Sequence, residues 1–238
     1  MREFFSGGIT MEVTDGCFRL STDSMALASF CRLPPRARVC DLGCGCGALS
    51  LLLCRDVPDA EITGIELLPE PAAQARKNID ANRLSGRFRI LEGDLRCCRS
   101  LLPANGFDAV ISNPPYFPAD SGICPEDNAR AIARTEVCCT LSDLCDAAAW
   151  LLRFGGDLFL VHRPERLTDL LCTLRRNRLE PKRIRFLRHH AGATASLVLL
   201  QARLGAKPGT VLEPDLLFFT PDGRETQDYQ QIYHWQEA

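Results

Sequence analysis

The sequence lacks the long apolar segment that a membrane-spanning helix requires. No run within its 238 residues reaches the roughly 18 apolar residues that a helix needs to cross a bilayer. The first residues, Met1 to Phe5, include an arginine and a glutamate, so they lack the apolar core of a secretory signal. Internal repeats and low-complexity segments are also absent. We therefore expect a cytoplasmic protein that makes no membrane contact.

The cysteine spacing that is typical of metal sites is also missing, although cysteine itself is abundant. The chain has 13 cysteines, and no two of them are separated by the two residues seen in zinc and redox motifs. Cys40, Cys44 and Cys46 lie in or beside a tight glycine loop, which is a poor place for metal ligands. The pattern predicts reduced, mostly buried thiols and no metal site.

The net charge is small, but the basic residues are unevenly distributed. The chain has 28 lysines and arginines against 30 aspartates and glutamates, with a net charge of -2. However, Glu180 is the only acid between Arg175 and His190. This basic stretch predicts a local phosphate-binding surface, with a solvated helix face as the alternative. The candidate contacts to a nucleic acid are Arg175, Arg176, Arg178, Lys182, Arg183, Arg185 and Arg188.

Short apolar runs alternate with helical patterns, which predicts βαβ units and a parallel sheet. The five predicted parallel strands are Arg38 to Leu42, Glu61 to Glu66, Arg87 to Leu91, Phe107 to Ser112 and Asp157 to His162. Two further strands, Lys182 to Leu187 and Ala195 to Ala202, are joined by a loop too short for a parallel crossover, so they must form an antiparallel pair. We predict an α/β fold with a Rossmann-like sheet of seven strands.

Helical patterns connect these strands. One predicted helix begins near Gly47. Three others cover Pro71 to Asn82, Leu141 to Phe154 and Pro164 to Asn177. Gly155-Gly156 is expected to end the helix that begins at Leu141. Residues Phe117 to Glu136 show no clear period and predict a loop or lid.

Both ends of the chain are expected to be appendages. Gly8 to Leu20 predicts a hairpin with Asp15-Gly16 as its turn, followed by a short helix from Asp23 to Phe30. Near the other end, Leu216 to Thr220, Pro221-Asp222-Gly223 and Glu225 to His234 predict a strand, a turn and a helix. The predicted organisation is an appendage over residues 1–37, a central domain over 38–204, and a second appendage over 205–238 that packs on the same domain.

A glycine-rich loop, Asp41-Leu42-Gly43-Cys44-Gly45-Cys46-Gly47, follows the first predicted strand. Open α/β sheets bind ligands at such strand ends. Gly43, Gly45 and Ala48 also match the pattern of dinucleotide-binding loops, so a nicotinamide cofactor is an alternative. Asp41 favours a methionine-type donor, because an anion at this place repels a pyrophosphate and attracts an ammonium group.

Two more acids follow the next predicted strands. Glu66 lies about 20 residues beyond the glycine loop, where a carboxylate can accept hydrogen bonds from two ribose hydroxyls. Asp94, with Leu95 beside it, follows the third strand and is placed to accept a hydrogen bond from an adenine amino group. Acids after three successive strands predict a nucleoside-containing cofactor at this end of the sheet.

The fourth predicted strand is followed by Asn113-Pro114-Pro115-Tyr116. The lone pair of an exocyclic base amine is delocalised into the ring. Acceptors aimed at its hydrogens, the Asn113 side-chain oxygen and the Pro114 carbonyl, favour the pyramidal nitrogen that attacks a methyl group. Pro114 and Pro115 fix the backbone, and Tyr116 can stack on the base. The motif predicts amino methylation.

Together these residues resemble the bacterial tRNA1(Val) adenine-N6 methyltransferase family. Its class I members carry the seven-stranded sheet and modify an adenine beside the anticodon. The resemblance extends to Ser21-Thr22-Asp23-Ser24, to Ala133-Arg134-Thr135-Glu136 and to Pro221-Asp222-Gly223-Arg224. It implies S-adenosylmethionine as cofactor and tRNA as partner. The cofactor-binding residues that it implies are Thr22, Asp23, Asp41, Gly43, Gly45, Gly47, Glu66, Asp94, Leu95 and Asn113.

Several other acceptors share the tetrapeptide. Enzymes that methylate DNA adenine, guanine N2 in rRNA and the glutamine amide of release factors carry similar motifs. Only 37 residues precede the first predicted strand, fewer than the extra domain of the release-factor enzymes needs, and no segment is long enough for a DNA-reading domain. An unpaired tRNA base costs less free energy to move into an active site than a base that must be flipped out of a DNA duplex. A non-catalytic RNA-binding module is the alternative of a different class, and a nicotinamide oxidoreductase would leave Asn113 to Tyr116 unexplained.

Overall fold

A computed structural model of the chain describes residues 2–4, 8–13, 20–114 and 139–233. The strands are β1 (Arg2–Phe4), β2 (Thr10–Glu12), β3 (Arg38–Leu42), β4 (Glu61–Glu66), β5 (Phe88–Glu92), β6 (Phe107–Ser112), β7 (Leu152–His162), β8 (Leu179–Arg188), β9 (Ala195–Leu204), β10 (Val211–Leu212) and β11 (Leu216–Leu217). The helices are α1 (Thr22–Phe30), α2 (Ala48–Asp56), α3 (Pro69–Ala81), α4 (Cys98–Leu101), α5 (Leu141–Leu151), α6 (Leu167–Arg176) and α7 (Gln227–Tyr233).

The main sheet has the strand order β10-β8-β9-β7-β6-β3-β4-β5, and β11 also pairs with β8. Strands β3 to β7 run parallel, and β9 runs antiparallel to both of its neighbours, β7 and β8. The predicted Rossmann-like sheet with five parallel strands and an antiparallel pair is therefore confirmed. The short β10 and β11 extend it beyond the predicted seven strands, because residues 211–217 pair along β8.

Both faces of the sheet are covered, which is why its strands are almost continuously apolar. Val39, Ile111 and Phe159 belong to a core shared with α1, α2 and α3. Their neighbours in sequence, such as Cys40 and Val110, belong to a second core shared with α5 and α6. Side chains alternate between faces along a strand, so each strand supplies both cores. Among the described residues, no helix is both long and apolar enough to cross a membrane.

Two predicted boundaries are wrong. The helix that starts at Leu141 ends at Leu151, and Gly155-Gly156 lies inside β7 instead of ending the helix. Leu152 already pairs with Phe107, and the register shifts before the next pair, so the glycines accommodate an irregular strand. A Cβ at Gly156 would lie 3.0 Å from two backbone oxygens, those of Arg153 and Asp108.

A separate two-stranded antiparallel pair joins β1 to β2. β2 lies within the predicted hairpin from Gly8 to Leu20, but the Asp15-Gly16 turn and the residues around it lie outside the described residues, so that hairpin stays a prediction. β2 is fastened to α3, because Asn78 and Asn82 accept hydrogen bonds from the backbone N–H groups of Glu12 and Thr10. The predicted loop from Phe117 to Glu136 also lies outside the described residues.

The parallel strands all end on the same side of the sheet, here called its carboxyl end. β8 ends there too, because it and β7 are both antiparallel to β9. The last residues of these strands are Leu42, Glu66, Glu92, Ser112, His162 and Arg188. The carboxyl end therefore gathers the segments that the sequence singles out.

Candidate functional site

The glycine loop turns tightly between β3 and α2. The backbone N–H groups of Gly43 and Cys44 both donate to the carbonyl of Ile65, at 2.9 and 3.1 Å, which fixes the loop to the end of β4. Gly45 has φ of 55° and Gly47 has φ of 87°, conformations that favour glycine. Among the described residues, a Cβ added at Gly43 or Gly45 would meet no atom within 4 Å, so the loop borders open space. The backbone is thus accessible to a ligand.

Glu66 is buried at the end of β4 and forms a hydrogen bond to this glycine loop. Its Oε2 accepts from the Gly45 N–H at 2.8 Å and its Oε1 from the Leu68 N–H at 2.9 Å. Burial raises the pKa of this carboxyl, and the backbone hydrogen bonds oppose that shift. An ionised carboxylate offers about four lone-pair sites, so both oxygens can accept further hydrogen bonds. The geometry permits a pair of ribose hydroxyls at this residue.

Asp41 is more deeply buried, with 1% of its surface exposed. Its Oδ2 accepts a hydrogen bond of 2.6 Å from the Ser50 hydroxyl on α2. Burial raises the pKa of Asp41 from 3.8 to about 7, the Ser50 hydrogen bond opposes the shift, and the nearby charge of Glu66 adds to it. Two buried acids close to each other favour a cationic ligand, because a cation stabilises both ionised forms.

Asp94 follows β5 and caps the short 3-10 turn Leu95–Cys97. Its Oδ1 accepts from the Arg96 N–H at 2.9 Å, and the Arg96 guanidinium contacts both carboxylate oxygens. The side-chain hydrogen bond from Arg96 lowers the pKa of Asp94, so the group is ionised. Leu95 lies beside it and is half-buried. The predicted adenine contact would therefore share Asp94 with Arg96.

Asn113 and Pro114 leave the end of β6 next to the glycine loop. The Ser112 hydroxyl donates to the Leu42 carbonyl at 2.8 Å, which connects the ends of β6 and β3. The Asn113 Nδ2 donates to the Ser24 hydroxyl on α1 at 3.1 Å. This contact determines which way the amide faces. Pro115 and Tyr116, the remaining predicted catalytic residues, lie outside the described residues.

Helix α1 brings residues 22–24 to the same place. Ser21 caps it, and the Ser21 hydroxyl accepts from the Ser24 N–H at 3.2 Å and also contacts the Ser24 hydroxyl. Thr22 shares a hydrogen bond with the Tyr233 hydroxyl of α7. Asp23 is half-buried in the first turn of the helix. Sequence reasoning missed Ser24, Ser112 and Tyr233, although the N-cap pattern of Ser21 to Ser24 offered a signal for the first.

The basic stretch is divided by the structure into two parts. Arg183, Arg185 and Arg188 form ion pairs with Glu213, Asp228 and Asp215, at 2.7, 3.0 and 2.5 Å. These pairs fasten the C-terminal segment to β8. Arg175, Arg176 and Arg178 lie before β8, at the opposite end of the sheet from Asn113, and Lys182 donates to the Lys207 carbonyl. A ten-residue strand spans roughly 30 Å, so the first three arginines are remote from the glycine loop.

The cysteines of the glycine loop are buried. Burial raises the pKa values of the Cys40 and Cys44 thiols well above their ordinary range, so both stay protonated. Within the described part of the chain, no group of three or more His, Cys, Asp or Glu side chains is arranged to hold a metal ion.

Comparison with known proteins identifies the family. The profile of the methyltransferase small domain matches residues 19–173. The chain is 35% identical to the tRNA1(Val) (adenine(37)-N6)-methyltransferase of Porphyromonas gingivalis, over 65% of this chain and 63% of that protein. It is 30% identical to the enzyme of the same name from Aeromonas hydrophila, over 92% of this chain and 90% of the relative. The chain belongs to the tRNA1(Val) (adenine-N6)-methyltransferase family.

A solved structure supports the fold assignment of this family member. A predicted O-methyltransferase from Agrobacterium tumefaciens matches with a TM-score of 0.74 at 24% identity, covering 91% of this chain and 98% of the other. The family's cofactor is S-adenosylmethionine, which carries a cationic sulfonium, an ammonium and ribose hydroxyls. The open space beside Gly43 and Gly45 and the buried acids Asp41 and Glu66 fit those groups.

Proposed function

We propose that this protein transfers a methyl group from S-adenosylmethionine to N6 of an adenine in the anticodon loop of a tRNA, and that Asn113 holds the accepting amine. The names of the relatives place their target at adenine 37 of tRNA1(Val). The observation that carries the proposal is the junction of β3 and β6. There the Ser112 hydroxyl connects the strand that precedes Asn113 to the strand that precedes the glycine loop.

We assign a different part of S-adenosylmethionine to each group of cofactor-binding residues. Glu66 binds the ribose hydroxyls, because its buried carboxylate already orders the loop at Gly45. Asp41 attracts the ammonium of the methionine moiety, with Ser50 as its protein donor. Asp94 accepts from the adenine amino group. Thr22 and Asp23 are assigned to the donor because they begin α1, the helix whose Ser24 contacts Asn113. When bound, S-adenosylmethionine supplies the electrophilic methyl group.

The acceptor residues act on the amine of the target base. The Asn113 side chain donates a hydrogen bond from Nδ2 to Ser24. Its Oδ1 therefore points away from Ser24 and can accept a hydrogen bond from the target base. That oxygen and the Pro114 carbonyl accept the two amine hydrogens and so localise the nitrogen lone pair. The nitrogen loses a proton readily once it is methylated, so a strong general base is not required. Tyr116 stacks on the base in this proposal.

The remaining cations of the basic stretch would contact tRNA far from the target base. Arg183, Arg185 and Arg188 already pair with acids of this chain. Arg175 pairs with Glu180, whereas Arg176 and Arg178 lie at the far end of β8. We assign Arg176 and Arg178 to the phosphates of a tRNA stem. Replacing both with alanine should flatten the salt dependence of tRNA binding by roughly two units.

Methyl-transfer assays test the reaction and its acceptor together. The protein should transfer tritiated methyl from S-adenosylmethionine to an unmodified tRNA1(Val) transcript, and not to duplex DNA or release factor. Asn113→Ala should lower the single-turnover rate about 100-fold while donor affinity stays nearly unchanged. Asn105→Gly is the control and should keep the full rate, because Asn105 is exposed in the turn before β6 and has the positive φ that glycine adopts readily. Transfer to release factor alone would refute the tRNA assignment, and a normal rate for Asn113→Ala would refute the mechanism.

A further inference from the structure

A row of aromatic rings crosses the carboxyl end of the sheet near β8. Tyr233 stacks on Tyr229 with centroids 4.5 Å apart, and Tyr229 lies 5.2 Å from Phe219. Phe219 lies 4.6 Å from His189, which in turn contacts His190 at 5.9 Å. The row starts at the residue that binds Thr22 and ends in two imidazoles. One end of the row therefore contacts α1, the helix that also contacts Asn113.

The far end of the row reaches solvent. His189 and His190 are exposed, Phe219 is half-buried, and the neighbouring Phe218 and Ile232 are buried in the core beneath. Phe218 and Ile232 are enough to anchor the C-terminal segment by apolar packing. The exposed histidines contribute little to that core, so its stability does not account for their position.

The position of these rings matches the reach of an RNA strand. His189 follows β8, which is separated from β6 by β7 and β9 in the sheet. The strand registers place Ser112 level with Ile184, so His189 lies three strand spacings across and about four residues further along, roughly 19 Å from Asn113. Arg163 lies between them, because it follows β7 directly, is exposed, and donates to the Ser196 carbonyl at the start of β9. The distance from Asn113 to His189 corresponds to the length of a few nucleotides of single-stranded RNA.

We propose that Arg163, His189, His190 and Phe219, here called the ring surface, bind the unpaired nucleotides that flank the target base. The inference rests on the proposed function and names the part of the substrate that this surface reads. Single-stranded RNA is recognised by aromatic planes that stack on bases and by cations that contact phosphates, and the ring surface supplies both. The cation of the ring surface is the exposed guanidinium of Arg163, which follows β7 directly.

Binding measurements with an unmodified tRNA1(Val) transcript separate stacking from charge. The double change His189→Ala with His190→Ala should raise the RNA dissociation constant about 10-fold and leave the salt slope unchanged, because stacking releases few counterions. Changing both histidines to phenylalanine should restore most of the affinity, since phenylalanine keeps a stacking ring. Arg163→Ala should weaken binding and reduce the salt slope by about one. Leu212→Ala, which removes an exposed apolar side chain from β10, should have no effect on RNA affinity.

The outcomes test RNA binding by the ring surface separately from the proposed methyl transfer. If the unaltered protein methylates tRNA and the double alanine variant binds RNA with full affinity, the ring surface is refuted and the function stands. If the unaltered protein binds no RNA, both are refuted. Donor affinity, measured by calorimetry, should be the same in all variants. A variant that loses donor binding and RNA binding together has lost its fold, and in that case His189→Ala alone is measured and must still weaken RNA binding.

Discussion

Asp41 gives the sharpest test of the electrostatic argument, through the substitution Asp41→Asn. Asparagine keeps the shape of the side chain and an oxygen that accepts from Ser50, but it carries no charge. Burial raises the pKa of Asp41 from 3.8 to about 7. Between those two pH values the folded protein keeps the Asp41 proton while the unfolded chain loses it. The stability of the donor-free protein therefore falls as pH rises through this window.

The size of the effect follows from the same pKa values. Each pH unit inside the window costs about 1.4 kcal/mol for one proton, so Asp41 costs the folded state roughly 2 to 3 kcal/mol more at pH 8 than at pH 5. Asp41→Asn removes this cost. The variant should thus be more stable than the unaltered protein at pH 8, and the difference should shrink toward pH 5. If Asp41 binds the donor ammonium as proposed, its buried charge destabilises the fold and serves binding.

Urea unfolding at several pH values between 5 and 8 measures the effect, with donor affinity determined by calorimetry at the same pH values. In the unaltered protein, affinity for S-adenosylhomocysteine should rise with pH up to about 7, because only the ionised carboxylate attracts the ammonium group. The variant should bind weakly at every pH. A stability difference that does not change with pH, or a variant that is less stable at pH 8, would show that Asp41 is not the titrating group.

Three further substitutions test the contacts around the site. Ser24→Ala should lower the single-turnover rate about 10-fold with unchanged donor affinity, because the Asn113 amide loses its fixed partner, whereas Ser29→Ala on the same helix should leave the rate unchanged. Glu66→Gln should weaken donor binding at least 10-fold in calorimetry and cost about 1 to 3 kcal/mol in urea unfolding, because an amide NH2 would then face the Gly45 or Leu68 N–H; equal stability would contradict the observed hydrogen bonds. Tyr233→Phe should cost about 1 kcal/mol of unfolding free energy, since it removes the hydrogen bond to Thr22, and a neutral effect would mean that this contact is dispensable.

Local patterns in the sequence predicted most of the sheet. The strands β3, β4 and β6 have the predicted boundaries, because each is a short apolar run between a helix and a strong turn signal. Gly155-Gly156 misled the prediction for the opposite reason. A pair of glycines after a helical pattern usually ends the helix, but here an irregular strand also needs residues without side chains. The two uses of glycine look the same in one sequence.

The candidate site was predictable only where its residues belong to compact motifs. Asp41 and Glu66 lie at the ends of apolar strands and Asn113 directly follows one, and parallel topology brings such positions together. Ser24 and Tyr233 were not predictable, because their roles depend on contacts across 89 and 211 residues of sequence. The basic stretch illustrates the reverse case. Its charges are contiguous in sequence, yet the acids that neutralise three of them come from residues 213–228.

In the proposed site, small polar groups connect the donor motif to the acceptor motif. Ser112 joins the end of β6 to the end of β3, and Gly45 joins the glycine loop to Glu66. Ser24 then joins Asn113 to α1, which Tyr233 fastens through Thr22. A methyl transfer needs its two reacting groups held close together and aligned, and misplacement by about 1 Å can cost roughly 100-fold in rate. A chain that keeps both motifs but loses these hydroxyl groups would therefore keep its fold and lose much of its activity.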